Sequence, residues 1–416
     1  MKIFFSLLRT FAVVLLVSGC YAGRGFTLSI AAAQAPANQA RVASIPIEIA
    51  GENYVLIQAR INESQPLTFE LDSGAGSGLV LYYKAAEALK FESQGKGKGR
   101  GAGGATFETS LIKGVSLNLS GVLMNNQTVV VFPPDRPPSN LGRNVDGVIG
   151  YSLFSRYVVE IDYLSRIVNL YEPATYQYTG GGEIIPITVQ SKVPFARVQI
   201  PLMGRKPLDG KFIVDLGAAR FALILNTPVV AANNLLAVPQ KTITEPGAQG
   251  VGGEVKLIVG RLPSLQLGHF TFQNPVIHFA QDRKGALASS DYNGLLGGEV
   301  LRRFKMIFDY AHKRLILEPN ASFTDSFEYD MSGIRLRAES ADVKRWKVFR
   351  LVENSPAVEA GLREGDFVSA IDGRPAAELS LTEIVKMFKQ DGRDYVLDIV
   401  RGEEKKQLKL KLRRLI

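Results

Sequence analysis

The sequence predicts a mainly β protein made of a duplicated unit of roughly 140 residues, followed by a smaller α+β domain. Three observations point there. An Asp-headed triplet ends two apolar runs, Phe69-Glu70-Leu71-Asp72-Ser73-Gly74-Ala75 and Phe212-Ile213-Val214-Asp215-Leu216-Gly217-Ala218. Landmarks on both sides of the triplet recur around each copy. From Asp330 onward the pattern of turns and apolar residues changes to that of a different kind of domain.

The landmarks come in chain order. Ile45-Pro46-Ile47 returns as Ile185-Pro186-Ile187, and Asp146-Gly147-Val148-Ile149-Gly150 returns as Asn293-Gly294-Leu295-Leu296-Gly297. Ile161-Asp162-Tyr163 returns as Phe308-Asp309-Tyr310. All these pairs lie 140 to 147 residues apart, so small loop insertions account for the drift. Within the first copy, Ile45/Ile47/Ile49 and Val55/Ile57/Ala59/Ile61 alternate as half-buried strands require. Residues 82–91 and 227–238 read as short helices, the second opened by Asn226 and Pro228. Tyr171 to Gly182 reads as the linker between copies, and a second boundary falls near Pro319 to Tyr329.

Composition narrows the function classes. A chain of 416 residues with 46% apolar content can hold two or three domains with real cores. The net charge of +9 is spread along the chain, with no aromatic-interleaved basic motif, so nucleic acid is not an expected partner. His269, His278 and His312 lack metal-ligand spacing, and one cysteine excludes an internal disulfide framework. No Gly-x-Ser-x-Gly elbow or Cys–His pairing points to another hydrolase class.

The paired triplets carry the chemistry. Each Asp leaves a strand into a tight turn where Gly lets another backbone approach. Two such turns facing each other across a pseudo-twofold axis bring Asp72 and Asp215 together. Carboxylates about 3 Å apart cannot both ionise and share one proton. One then activates a water while the other donates to a peptide carbonyl, which is aspartic-peptidase chemistry and needs neither metal nor organic cofactor.

On these residues the chain resembles bacterial aspartyl proteases with two retropepsin-like β-barrel lobes in tandem and a C-terminal PDZ domain, over about residues 42–416. The resemblance implies lobes at 42–178 and 183–320, with Asp72 and Asp215 catalytic and Ser73, Gly74 and Gly217 supporting them. In the family, Ser or Thr hydroxyls brace each turn against the opposite loop. Ser73 keeps that group and Leu216 lacks it. That departure favours a second reading, a catalytically degenerate envelope protein serving as a peptide-binding scaffold. The Gly-rich stretches 95–104 and 247–253 correspond by position to flaps over the substrate, although such composition also suits surface loops. Lys96, Lys98 and Arg100 in the first stretch read either as an attraction for acidic substrates or as plain solvated charge.

The third domain, 328–416, carries Met331-Ser332-Gly333-Ile334-Arg335-Leu336, Asn354-Ser355-Pro356-Ala357, Ala360-Gly361-Leu362 and Ile371-Asp372-Gly373 in the order of bacterial PDZ domains. Ser380-Leu381-Thr382-Glu383 is a capping box, and Leu381, Ile384, Val385 and Phe388 share a helical face. The resemblance implies β-augmentation by a peptide, with amides from Gly333, Ile334, Arg335 and Leu336 holding its C-terminal carboxylate.

At the other end, Lys2 and Arg9 precede the apolar stretch Phe11 to Val17, and Val17-Ser18-Gly19-Cys20 resembles a bacterial lipobox. The expectation is a signal peptide at 1–20, a lipidated Cys20, a tether at 21–41 and a periplasmic or cell-envelope location with a membrane anchor. Ala33-Gln34-Ala35 is the competing cleavage site. The expected partners are polypeptide substrates at the two-lobed cleft and peptide or protein C-termini at the PDZ domain.

Overall fold

The computed structural model describes residues 41–134, 141, 143–339 and 345–416. Cys20, the tether and the Ala33–Ala35 site lie outside the described residues.

The alternating segments become strands. Arg41–Ala50 and Tyr54–Ile61 pair antiparallel, with Ile45, Ile47, Val55, Ile57, Ala59 and Ile61 buried in one core. In each copy the strand ahead of the Asp (Leu67–Leu71, then Leu208–Val214) runs parallel to the Gly-containing landmark strand (Gly147–Ile149, then Gly294–Leu296). The register is the same in both. Phe69, Glu70 and Leu71 face Gly147, Val148 and Ile149, as Phe212, Ile213 and Val214 face Gly294, Leu295 and Leu296. A third strand, Leu79–Leu81 or Leu223–Leu225, closes each motif antiparallel to the landmark strand.

The last landmarks join the copies. Val158–Asp162 and Phe304–Asp309 pair antiparallel, Ile161 opposite Met306 and Val159 opposite Phe308, so the repeated segments meet each other. Around them Glu183–Pro186, Arg314–Pro319, Ile167–Tyr171 and Arg41–Ala50 complete six strands drawn from both repeats. One continuous apolar core runs beneath both copies, with Phe69, Leu71, Phe154, Phe212, Val214 and Phe308 inside it. The architecture is therefore mainly β, two barrel-like lobes plus an α+β domain.

That domain has its own core of Trp346, Val348, Ile371, Ile384, Phe388, Tyr395, Leu397 and Leu410. Its sheet follows the order Ile334–Ala338, Trp346–Leu351, Phe367–Ile371, Asp394–Arg401, Glu404–Lys411, which leaves Ile334–Ala338 at an edge. The helix Leu381–Met387 opens with the expected box: Glu383 N–H donates to Ser380 Oγ (3.2 Å) and Ser380 N–H to Glu383 Oε2 (2.8 Å). Its apolar face divides. Ile384 and Phe388 enter the core, while Leu381 and Val385 stay half-buried.

Candidate functional site

Both carboxylates sit where the strand register delivers them. Asp72 N–H donates to Ile149 O (3.0 Å) and Asp215 N–H to Leu296 O (2.9 Å), each extending its parallel strand pair by one rung. Asp72 Oδ1 accepts from Gly74 N–H (2.7 Å) and from Gly217 N–H of the other repeat (3.2 Å). Asp215 Oδ1 accepts from Ala218 N–H (3.1 Å). The two carboxyl groups are close enough for each to perturb the other. The glycines make this approach possible: a Cβ on Gly74 would stand 2.6 Å from Asp215 Oδ1, and one on Gly217 2.5 Å from Asp72 Oδ2. Any side chain there would push the opposite carboxylate away.

The electrostatics separate the pair. Burial raises both above the ordinary carboxylate range. For Asp215 the neighbouring Asp72 charge adds to burial and carries it well above. For Asp72 the Gly74 amide, the Asp215 carboxyl and the Gly217 amide pull back. The pair as a whole is raised above the ordinary carboxylate range, and the two amide donors on Asp72 against one on Asp215 favour charge on Asp72.

The brace is one-sided. Ser73 Oγ donates to Val214 O (2.7 Å) and accepts from Leu216 N–H (3.1 Å), so one buried hydroxyl ties the first turn to the second. Leu216 is 1% exposed and packs into the common core. Apolar burial replaces a hydrogen bond on that side.

The two Gly-rich stretches meet. Lys96–Gly99 pairs with Phe107–Leu119, and Gln249–Gly250 with Gly253–Glu254. Their tips bond across, Gly103 N–H to Val251 O (2.9 Å) and Ala105 N–H to Gly252 O (3.0 Å). Lys96 is largely exposed and pairs with Glu108 (3.2 Å), whereas Lys98 and Arg100 line the cavity that holds the dyad.

Reading the sequence missed Glu70. Its neighbours Phe69 and Leu71 face the core, so strand alternation turns Glu70 to the opposite side, into the cavity with both Asp residues. Burial first, then the charges of Asp72 and Asp215, raise its carboxyl well above the usual range. The available signal was an acid inside the run Phe69-Glu70-Leu71 where the other copy has Ile213.

The segment Gly333 to Leu336, expected to hold a peptide carboxylate, lies beside the helix as the sequence implied, but its groups are engaged with neighbours. Ile334 and Leu336, with Leu381 and Val385 of the helix, line a groove that is continuous with the dyad in a single cavity of about 2350 Å³. Two expected carboxylate-binding amides are already occupied: Gly333 N–H donates to Asp330 Oδ1 (2.6 Å) and Ile334 N–H to Ser332 Oγ (3.0 Å). The Arg335 side chain is committed to docking. Its guanidinium grips Glu245 through two bonds (2.7 and 2.8 Å) and also bonds Tyr329, while Arg220 reaches Glu245 at 3.1 Å. Burial would raise the Glu245 carboxyl, but Arg335 and Arg220 outweigh it and hold it far below the usual range. Thr382 Oγ1 donates to Gly51 O (2.7 Å) and Lys389 pairs with Glu52 (2.7 Å), so the domain touches both repeats. Nearby His278 is pushed down to about 3, chiefly by burial, and is neutral. Among the described residues, no three His, Cys, Asp or Glu side chains are grouped to hold a metal ion.

Residues 57–153 match the family model for aspartyl proteases, which includes Asp72 and ends before the second triplet, and residues 332–412 match the PDZ domain model. A probable CtpA-like serine protease of Staphylococcus haemolyticus (strain JCSC1435) is 24% identical over 135 residues, 32% of this chain and 25% of that protein. The chain thus spans about a quarter of the length of that curated relative. The crystal structure of an aspartic proteinase from Irpex lacteus aligns at a TM-score of 0.45 and 14% identity, covering 68% of this chain and 99% of that one.

Proposed function

We propose that this chain, an aspartyl protease domain joined to a PDZ domain, is an exported aspartic-type endopeptidase acting on polypeptides. Residues 42–178 and 183–320 form its catalytic lobes and 328–416 its peptide-binding domain. The observation that carries the reading is the mutual approach of Asp72 and Asp215, each against the opposite glycine.

Asp72, ionised, takes a proton from a water lying between the carboxyls as that water attacks the scissile carbonyl. Asp215 gives its proton to the carbonyl oxygen, forming a neutral tetrahedral diol. Collapse of the diol breaks the C–N bond, with Asp72 returning its proton to the leaving nitrogen and Asp215 recovering one from the diol. The Gly-rich tips, bonded to each other, would serve as the lid that limits bulk water during this step. Lipidation at Cys20 would hold the enzyme on the envelope membrane. Radiolabelled palmitate entering the wild type but not Cys20→Ala would support the anchor, and equal labelling would refute it.

The buried apolar Leu216 favours the second reading, a binding scaffold without turnover. Incubation with unfolded polypeptide separates the two. Cleavage that disappears in both Asp72→Asn and Asp215→Asn supports the peptidase. No cleavage by the wild type, or cleavage persisting in either variant, overturns it.

A further inference from the structure

The rows of paired residues that contribute to the wall of the cleft, through Glu70, Val148 and Val80 in one repeat and Leu295 and Ile224 in the other, differ between the repeats. Residues directly opposite one another on neighbouring strands share a face of the sheet. In the second repeat, Phe195, Ile213, Leu295 and Ile224 form such a row, and every member is apolar. In the first repeat the corresponding row is Leu56, Glu70, Val148 and Val80. One position has changed from an aliphatic residue to an acid, and that position lines the catalytic cavity.

Glu70 is only 7% exposed and lines the cavity, and the charges that act on its carboxyl there are those of the like-signed Asp72 and Asp215. A buried carboxyl beside like charges is unfavourable and is kept only where something offsets it. Of the cations that line the cavity, Arg143 pairs with Glu48, Arg220 with Glu245 and Lys389 with Glu52, while Lys98 and Arg100 belong to the first Gly-rich stretch. The cavity surface around Glu70 is apolar and aromatic, formed by Val80, Val148 and Tyr82. An apolar sleeve with an acid at its end matches a side chain with an aliphatic stem and a cationic head.

We infer that Glu70 makes the first-repeat side of the cleft a subsite for Lys or Arg, while the opposite side, walled by Leu295 and Ile224, takes an apolar residue. This rests on the peptidase reading for its role in turnover, but not for binding. Once seated, the substrate cation would give Glu70 a partner of opposite charge and draw off its proton. The asymmetry also orients the substrate. A chain with a basic residue on one side of the scissile bond and an apolar residue on the other fits one way round.

The test uses paired peptides that differ only in Lys or norleucine at the position next to the scissile bond, since norleucine keeps the stem and lacks the charge. Binding is measured by fluorescence anisotropy on full-length Asp215→Asn protein, where turnover plays no part. The expected result is a Lys preference of tenfold or more, reduced to less than threefold when Glu70→Gln is added. Equal binding of the pair, or a preference that survives Glu70→Gln, overturns the subsite. In the active enzyme, the same pair and the Glu70→Gln variant should show the loss in kcat/KM for Lys peptides only, and an equal loss for both peptides also overturns it. A wild type that binds with the Lys preference and never cleaves would defeat the peptidase reading while leaving the subsite standing.

Discussion

The two Asp-bearing turns have the same backbone and different chemistry. Asp72 and Asp215 each continue a strand pair of the same register, and each glycine admits the opposite carboxylate. At the next residue one turn has a hydroxyl bonded to both neighbours of Asp215, and the other has a buried Leu. Two residues before the Asp, one has a buried acid that lines the cavity and the other an aliphatic side chain. The difference teaches that symmetry here is a property of strand register. Donors around each carboxylate break that symmetry, and Asp72 accepts from two amides where Asp215 accepts from one.

The largest expected effect breaks the dyad. Asp215→Asn should lower turnover by roughly 10²–10⁴-fold, the range for losing a positioned acid. It should also raise the melting temperature at neutral pH. A raised folded-state pKa means the native state binds more protons than the unfolded one, so stability falls as pH rises from the ordinary carboxylate value through the folded one. Asparagine removes that penalty. Calorimetry showing an unchanged or lower melting temperature would contradict the electrostatic picture. For the same reason wild-type activity should decline on the alkaline side as Asp215 loses its proton.

Next comes the contact that ties the PDZ domain to the second repeat. If that domain only recruits substrates, deleting residues 330–416 leaves cleavage of short peptides intact. The buried Glu245–Arg335 pair gives a different expectation. Arg335→Ala should destabilise the protein by about 1–3 kcal/mol, because it removes two charge-assisted hydrogen bonds from a carboxylate with no solvent access and leaves it only Arg220. Glu245 stands just before the second flap, so short and long substrates should both be cleaved more slowly. Denaturant titration and short-peptide kinetics that match the wild type would return the domain to the role of a tethered recruiter. Since Glu245 is depressed, its contribution is complete above the ordinary carboxylate value and is lost as pH falls toward its folded value.

Comparable or smaller effects sharpen the comparison of the turns. Ser73→Ala leaves the Val214 carbonyl and the Leu216 amide without their partner and should cost about 1–3 kcal/mol, with turnover falling too. Leu216→Thr places a hydroxyl at the position that matches Ser73 in the other turn but gives up apolar burial. It should lose about 1 kcal/mol or less in denaturant titration and keep turnover within roughly threefold. A collapse of turnover in Leu216→Thr would show that Leu216 shapes the dyad by packing rather than tolerating a lost brace. The smallest effect concerns the PDZ groove. With the Gly333 and Ile334 amides already bonded to Asp330 and Ser332, free and amidated forms of one peptide should bind within about threefold. Free acids binding more than tenfold tighter would mean that a peptide carboxylate displaces Asp330.

Much of this protein was legible in the sequence because it rests on local rules. Alternation marked the strands around Ile45 and Val55, the repeat offsets paired Asp72 with Asp215, and Ser380 with Glu383 announced the helix that follows. Each signal lies within a few residues or recurs by duplication. The direction of Glu70, the grip of Arg335 on Glu245 and the merging of the PDZ groove with the cavity that holds Asp72 and Asp215 were decided only by tertiary structure. Glu245 and Arg335 lie 90 residues apart in different domains, and no local pattern specifies which buried acid meets which buried cation. Glu70 occupies a strand position that alternation assigns to one of two faces, and only packing of the lobes makes that face the wall of the cleft. Local chemistry decides what a segment becomes, whereas the surroundings of a side chain depend on how distant segments close around it.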